Sequence, residues 1–177
     1  AKREEKLAGT LRKAVFFTVA PEVYINNSCI YEGSTLYGFG LKLTGEQAEN
    51  LHQTLEELTA GMALWKCPLQ QDSDGWQKPE EYMKDYASRL FWRTGCKFRQ
   101  FTHGPWQTYW VMGTNCSLFA ETVLTAAGCD IPRKKGIVSP GEYFQYFQEL
   151  FADPDSQVIS RTWHTADVPE TLFRTWA

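Results

Sequence analysis

The chain has 177 residues, which is long enough for one domain with its own hydrophobic core. Its composition, 43% hydrophobic, 15% aromatic and 22% charged, is that of an ordinary globular protein rich in Trp, Tyr and Phe. A net charge of −3 and the lack of an 18-residue apolar run argue against a nucleic-acid partner, an anionic membrane surface and a membrane span.

The cysteines and histidines argue against a metal site. Five cysteines (Cys29, Cys67, Cys96, Cys116 and Cys129) are an odd number, so at least one thiol is free unless it pairs between chains. No CxxC pair occurs and the three histidines are scattered, so we expect neither a zinc site nor another cofactor. Free thiols favour a reducing, cytoplasmic location. However, the chain begins at Ala1 rather than Met, as it would if an N-terminal targeting or anchoring segment had been removed.

The first part of the chain predicts strands. Residues 1–13 are highly charged, which predicts a loosely packed N-terminal segment. The β-rich run 14–20 continues after Pro21 as Val23-Tyr24-Ile25, and further strands are predicted at residues 29–31 and 35–41. Residues 32–34 provide a hairpin turn, so we expect an antiparallel meander.

Later segments predict helices that alternate with extended runs. Thr44 and Gln47 have the spacing of a capping box, which opens a helix that should end near Gly61. Another helix is predicted from Pro79, and Ser139 with Pro140 opens a third. Residues 97–102 and 157–163 predict strands. No repeat or linker is evident, so we predict a single α+β domain over residues 1–177, a small antiparallel sheet packed with helices.

Cys116 lies where a strand is predicted to turn into a helix. Residues 107–112 are aromatic and β-branched, whereas after Asn115 the apolar residues follow a helical period up to Gly128. A thiol in the first turn of a helix experiences the positive end of the helix dipole, which favours the thiolate. Cys116 is therefore a candidate nucleophile. The alternative is a small buried core residue, which is a common role of free cysteine.

The residues around Cys116 resemble a known group of enzymes. The pattern consists of Asn115-Cys116, Phe119-Ala120, Leu124, Ala127-Gly128, Ile131-Pro132 and Pro140, preceded by Val23-Tyr24-Ile25, Tyr37-Gly38-Phe39-Gly40, Leu43-Thr44 and Gln47. Over about residues 20–145 it resembles the circularly permuted papain-like hydrolases of the NlpC type. That group includes lecithin:retinol acyltransferase-like proteins and related bacterial amidases. The resemblance implies a cysteine hydrolase or acyltransferase that acts on an amide, peptide or lipid-ester bond, with a histidine base and a third polar group.

This chain departs from the pattern of that group at the position of the catalytic histidine. In the group it lies on the first strand, near residues 21–25, where this chain has Glu22 and no histidine. His164 follows the cysteine, as the base does in unpermuted papain-like enzymes, and Asp167 is close enough in sequence to orient it. His103 would lie at the far end of the strand that leads to Cys116, unless the chain doubles back at Gly104-Pro105.

We therefore rank His164 before His103 as the candidate base. The missing first-strand histidine favours an alternative, a catalytically inactive papain-like module that binds a peptide, glycan or lipid. A structural domain of a larger protein is a third possibility.

Overall fold

The computed structural model describes residues 12–67, 85–109, 115–131, 139–166 and 170–173, with the backbone alone for residues 12, 13 and 170–173. Its helices are α1 (Pro21–Asn26), α2 (Gly45–Thr59), α3 (Tyr86–Thr94), α4 (Cys116–Ala126) and α5 (Pro140–Ala152). Its strands are β1 (Arg12–Lys13), β2 (Val15–Thr18), β3 (Leu36–Leu41), β4 (Ala63–Leu64), β5 (Lys97–Gln100), β6 (Thr108–Tyr109), β7 (Val158–His164) and β8 (Glu170–Phe173). The predicted α+β class is confirmed. The predictions for residues 1–11, for the helix start at Pro79, for residues 110–112 and for Asp167 lie outside the described residues.

Strands that are distant in sequence pair with each other, so the predicted meander is wrong. In the described part of the chain, β1 pairs with β6, β5 lies between β2 and β4, and β7 lies between β3 and β8. Every pairing is antiparallel. Phe17 lies opposite Phe98, and Tyr37 lies opposite Trp163. The first half of the chain therefore supplies partners for strands of the second half rather than forming a sheet by itself.

The segment from Pro21 to Tyr31 is helical, which corrects the strand predictions at residues 23–25 and 29–31. Pro21 occupies the first helical position of α1, where its missing N–H costs nothing. The chain continues from α1 as a π-helical turn over Asn27–Tyr31. Tyr24 packs on Phe17 of β2, with ring centroids 5.9 Å apart. Packing contacts of this kind can override the preference of β-branched and aromatic residues for strands.

Glu32 fixes the end of the π-helical turn to α3. Its carboxylate accepts hydrogen bonds from Arg89 Nε at 2.9 Å and Nη2 at 2.8 Å, and it also pairs with Arg93. The Arg89 guanidinium, helped by Arg93, holds the pKa of Glu32 below its ordinary value although burial opposes this. A bidentate Arg–carboxylate contact is geometrically specific, so this pair sets the position of the turn relative to α3.

Two clusters of buried side chains form the core of the described chain. The first contains Ala127, Cys129, Ile131, Phe147 and Val158, and joins the end of α4 to α5 and β7. The second contains Ala87, Leu90, Cys96 and Phe98, and joins α3 to β5. Helix α4 reaches the first cluster through Leu124, whereas Phe119 on another face contacts Phe16 of β2, at 5.8 Å between ring centroids. This arrangement places α4 between the two main groups of strands.

The predicted starts of α2 and α5 and the predicted ends of α2 and α4 are confirmed. Thr44 and Gln47 form the capping box of α2, with both hydrogen bonds at 3.1 Å. Ser139 and Glu142 form another at α5, at 2.9 and 3.2 Å. Gly128 follows α4 at φ +73°, a conformation that glycine adopts without strain. Local sequence therefore determines where these helices begin and end.

Replacing Thr44 with alanine should lower the free energy of unfolding by about 1 kcal/mol, because the N–H of Gln47 loses its side-chain acceptor. Urea unfolding followed by circular dichroism measures the change. Thr44→Ser keeps the hydroxyl and should retain most of the stability. Equal losses in the two variants would contradict a capping role.

Candidate functional site

Cys116 is the first residue of α4, and its thiol is exposed. Asn115 caps the helix: its Oδ1 accepts from the Leu118 N–H at 3.0 Å, and the Asn115 side chain is itself buried, at 2% exposure. All five cysteines are free thiols, and the other four are buried. Burial raises the pKa of the Cys129 thiol, which makes it less reactive. Cys116 is thus the accessible thiol of the chain, held at a helix N-terminus by a rigid cap.

A cavity of about 240 Å³ opens beside Cys116. Its lining is mostly aromatic and includes Phe16, Phe17, Phe101, Trp106, Tyr109 and Phe119. Phe119 lies one turn along α4 from Cys116, and its ring is 5.2 Å from that of Trp106 and 6.1 Å from that of Phe101, between centroids. Such a lining suits an uncharged, apolar group rather than a charged one.

Tyr109 is a polar neighbour of the thiol that the sequence did not reveal. It lies in β6, opposite Arg12 of β1, and lines the cavity with Cys116. The two side chains are close enough to interact electrostatically. Burial above all, and then the charge and hydrogen bond of Cys116, raise the pKa of Tyr109. The phenol therefore stays protonated at neutral pH. The sequence predicted a strand at Tyr109 but gave no signal of how that strand meets the helix.

His103 lies at the tip of a loop whose two ends return to the cavity. The chain turns at Gly104, where φ is +80°, and enters a short 3₁₀ helix, Pro105–Gln107. The chain does not double back there, because β5 and β6 run in the same direction, each antiparallel to one of the consecutive strands β2 and β1. His103 is exposed, and its Nδ1 lies 3.0 Å from Thr102 Oγ1. Its ring packs over Gly61, where a Cβ would collide with it. His103 neither lines the cavity nor hydrogen-bonds to Cys116.

His164 is the last residue of β7, opposite Leu36 of β3. Its carbonyl oxygen accepts from the thiol of Cys29 at 3.4 Å. The sheet of β3 and β7 borders a second cavity, of about 310 Å³, whose helical wall includes Ser117, Ala120 and Leu124 of α4. That wall is a different face of α4 from the one that carries Cys116 and Phe119. His164 does not line the cavity of Cys116, so the structure does not bring the two together.

Glu22, which stands where the resemblance would place a histidine, is an exposed residue of α1 and does not line the cavity. Among the described residues, no group of three or more His, Cys, Asp or Glu side chains is arranged to hold a metal ion. Within the same ranges, none of the helices is long and apolar enough to cross a membrane. Comparisons of the chain with protein-family models, curated proteins and solved structures gave no match.

Proposed function

We propose that this protein is a cysteine-dependent hydrolase or acyltransferase that acts on an amide, peptide or ester bond. One observation carries the proposal: the accessible thiol of the chain lies at the N-terminus of α4, beside an aromatic cavity and a protonated phenol. A cavity beside a nucleophile is where an acyl group would be held.

The proposed reaction has two steps. The Cys116 thiolate attacks the acyl carbon, a C–S bond forms, and the amine or alcohol leaves with a proton. Water or an acceptor alcohol then attacks the thioester, which releases the acid or new ester and restores the thiol. The proposed proton carrier is a histidine, with His164 as the first candidate and His103 as the second. Neither lines the cavity, so separate variants of each are needed.

The lining of the cavity favours substrates whose acyl group is apolar. Burial of a charged carboxylate or ammonium against Phe16, Trp106 and Phe119 would cost several kcal/mol per charge. Burial of an alkyl or aromatic group there is instead favourable, at about 25 cal/mol per Å². The proposed substrates are therefore apolar amides, peptides with an apolar residue at the scissile bond, and lipid esters.

A binding module without catalysis is the second candidate. The separation of both histidines from the cavity favours it, since a thiol without a base is a poor catalyst of acyl transfer. In that case the aromatic cavity binds an apolar ligand, and the thiol of Cys116 has no catalytic role.

Cys116 should react with iodoacetamide at least about tenfold faster at pH 6.5 than an exposed thiol elsewhere on the same helix. The matched thiol is Thr125→Cys in a Cys116→Ser background, because residue 125 is exposed in the last turn of α4, where the dipole disfavours the thiolate. Mass spectrometry of the labelled peptides measures both rates. Equal rates would mean that exposure alone governs the reaction, and the binding module would then be favoured.

A further inference from the structure

The ring of Phe119 contacts three other rings in the wall of the cavity that Cys116 lines. Its centroid lies 5.2 Å from that of Trp106, 5.8 Å from that of Phe16 and 6.1 Å from that of Phe101. We propose that Phe119 is a specificity-determining residue, which limits the acyl group that Cys116 accepts to a short chain or a single aromatic ring. This inference rests on the proposed function and narrows its substrate class, because it excludes esters of long-chain fatty acids.

The first turn of α4 fixes the position of Phe119 relative to the thiol. Phe119 comes three residues after Cys116, and side chains at that spacing are neighbours on one face of a helix. Long helical side chains also point back towards the N-terminus, so the ring of Phe119 covers the turn that carries Cys116. Asn115 holds this turn in place: its carbonyl oxygen accepts from the Phe119 N–H at 3.1 Å, and its Oδ1 accepts from the Leu118 N–H at 3.0 Å. An acyl group on the sulfur would therefore lie against the ring of Phe119.

The volume of the cavity, about 240 Å³, sets the size of the group that it can enclose. An apolar protein cavity of about 150 Å³ takes up benzene, so this cavity has room for one aromatic ring and a short link to the sulfur. A methylene group is about as large as a water molecule, roughly 30 Å³, so at most about eight carbon atoms of an alkyl chain fit. The remaining methylene groups of a longer chain would stay in water and add no binding energy.

Phe119 is the wall residue whose size can be changed with the least disturbance of the fold. Phe16 lies in β2 opposite Arg99 of β5, and Trp106 lies in the 3₁₀ helix before β6, so changes at these positions act on the strands as well. Phe119 lies on the same helix as the nucleophile and is a member of neither buried core cluster. Its replacement should therefore enlarge or reduce the cavity while the two clusters stay intact.

The test is a series of p-nitrophenyl esters from acetate to decanoate, each kept below its critical micelle concentration. In the wild type, each methylene that enters the cavity should raise kcat/KM about fourfold. This rise should stop near the octanoate, when the cavity is full. In Phe119→Ala it should continue to the decanoate, whereas in Phe119→Trp it should stop at a shorter chain than in the wild type. Phe144→Leu is the control: Phe144 lines the second cavity, on another face of α4, so the rise should stop at the wild-type chain length.

Release of p-nitrophenol measures the rates, and the mass of the labelled peptide shows acylation of Cys116. If the alanine variant does not fold, Phe119→Leu takes its place, and its rise should also extend beyond that of the wild type.

Three results would overturn the assignment. The same limiting chain length in the wild type and in the Phe119 variants would mean that other residues set the limit. A rise that continues through the decanoate in the wild type would mean that the cavity does not enclose the acyl group. In both cases Cys116 is still acylated, so the proposed function would stand without the size limit. A wild-type protein that iodoacetamide labels at Cys116 but that no ester of the series acylates would refute the proposed function and the size limit together.

Discussion

Replacing Cys116 with serine should lower the turnover of an apolar activated ester by at least about a thousandfold, because the nucleophile is removed while the cavity stays intact. The serine hydroxyl is far less nucleophilic at neutral pH than a cysteine thiolate. Hydrolysis of p-nitrophenyl butyrate, measured per folded protein, gives the loss. Cys129→Ser is the matched control: this cysteine is buried beyond the end of α4, so activity should remain.

Two further variants locate the proton carrier. If His164 is the base, His164→Ala should lose most of the turnover while His103→Ala retains it, and the reverse result would assign His103. Each change alters one imidazole that does not line the cavity, so the affinity for an apolar ester should hardly change. Full activity in Cys116→Ser would refute the hydrolase proposal, whichever histidine variant is tested.

Phe98→Ala should lower the free energy of unfolding by about 3–5 kcal/mol, because it removes the largest fully buried side chain among the described residues and leaves a cavity. Phe98 is 2% exposed. Its ring centroid lies 5.3 Å from that of Phe17, 5.2 Å from Trp65 and 6.4 Å from Phe91, so it joins β2, β5 and α3. Equilibrium unfolding in urea measures the loss, and Phe98→Leu provides an intermediate variant if the alanine variant does not fold.

Leu64 is the matched control for Phe98. It lies in β4, opposite Arg99 of the same strand β5, and is 66% exposed. Leu64→Ala should change the free energy of unfolding by less than about 0.5 kcal/mol, because the side chain makes few contacts to lose. Comparable losses at the two positions would show that the cluster around Phe98 is not the part of the core on which the fold depends.

Sequence alone predicted the features that depend on neighbouring residues. The capping box at Thr44, the N-cap at Ser139, the helix end at Gly128 and the position of Cys116 in the first turn of a helix all depend on hydrogen bonds within a few residues. The α+β class followed from the change between helical and alternating periods. These interactions are local, so their residues are enough to specify them.

The errors occurred where distant contacts decide the structure. Val23, Tyr24 and Ile25 favour strands, yet this segment is helical because Tyr24 packs on Phe17 and Glu32 is held by Arg89. Pairing of neighbouring strands is the common arrangement, but here β3 pairs with β7. The contact of Tyr109 with Cys116 depends on the angle at which β6 meets α4, which no residue pattern encodes.

The pairing of β3 with β7 has a consequence during protein synthesis. Leu36 and His164 are direct partners, although 164 − 36 = 128 positions separate them in the sequence. The buried Val158 of the first core cluster belongs to the same late strand. A nascent chain therefore exposes β3 until His164 has left the ribosome, and closing so long a loop is entropically slow. The unpaired early strand is a site at which chaperones would bind, and mutations that weaken β7 would reduce the yield of folded protein.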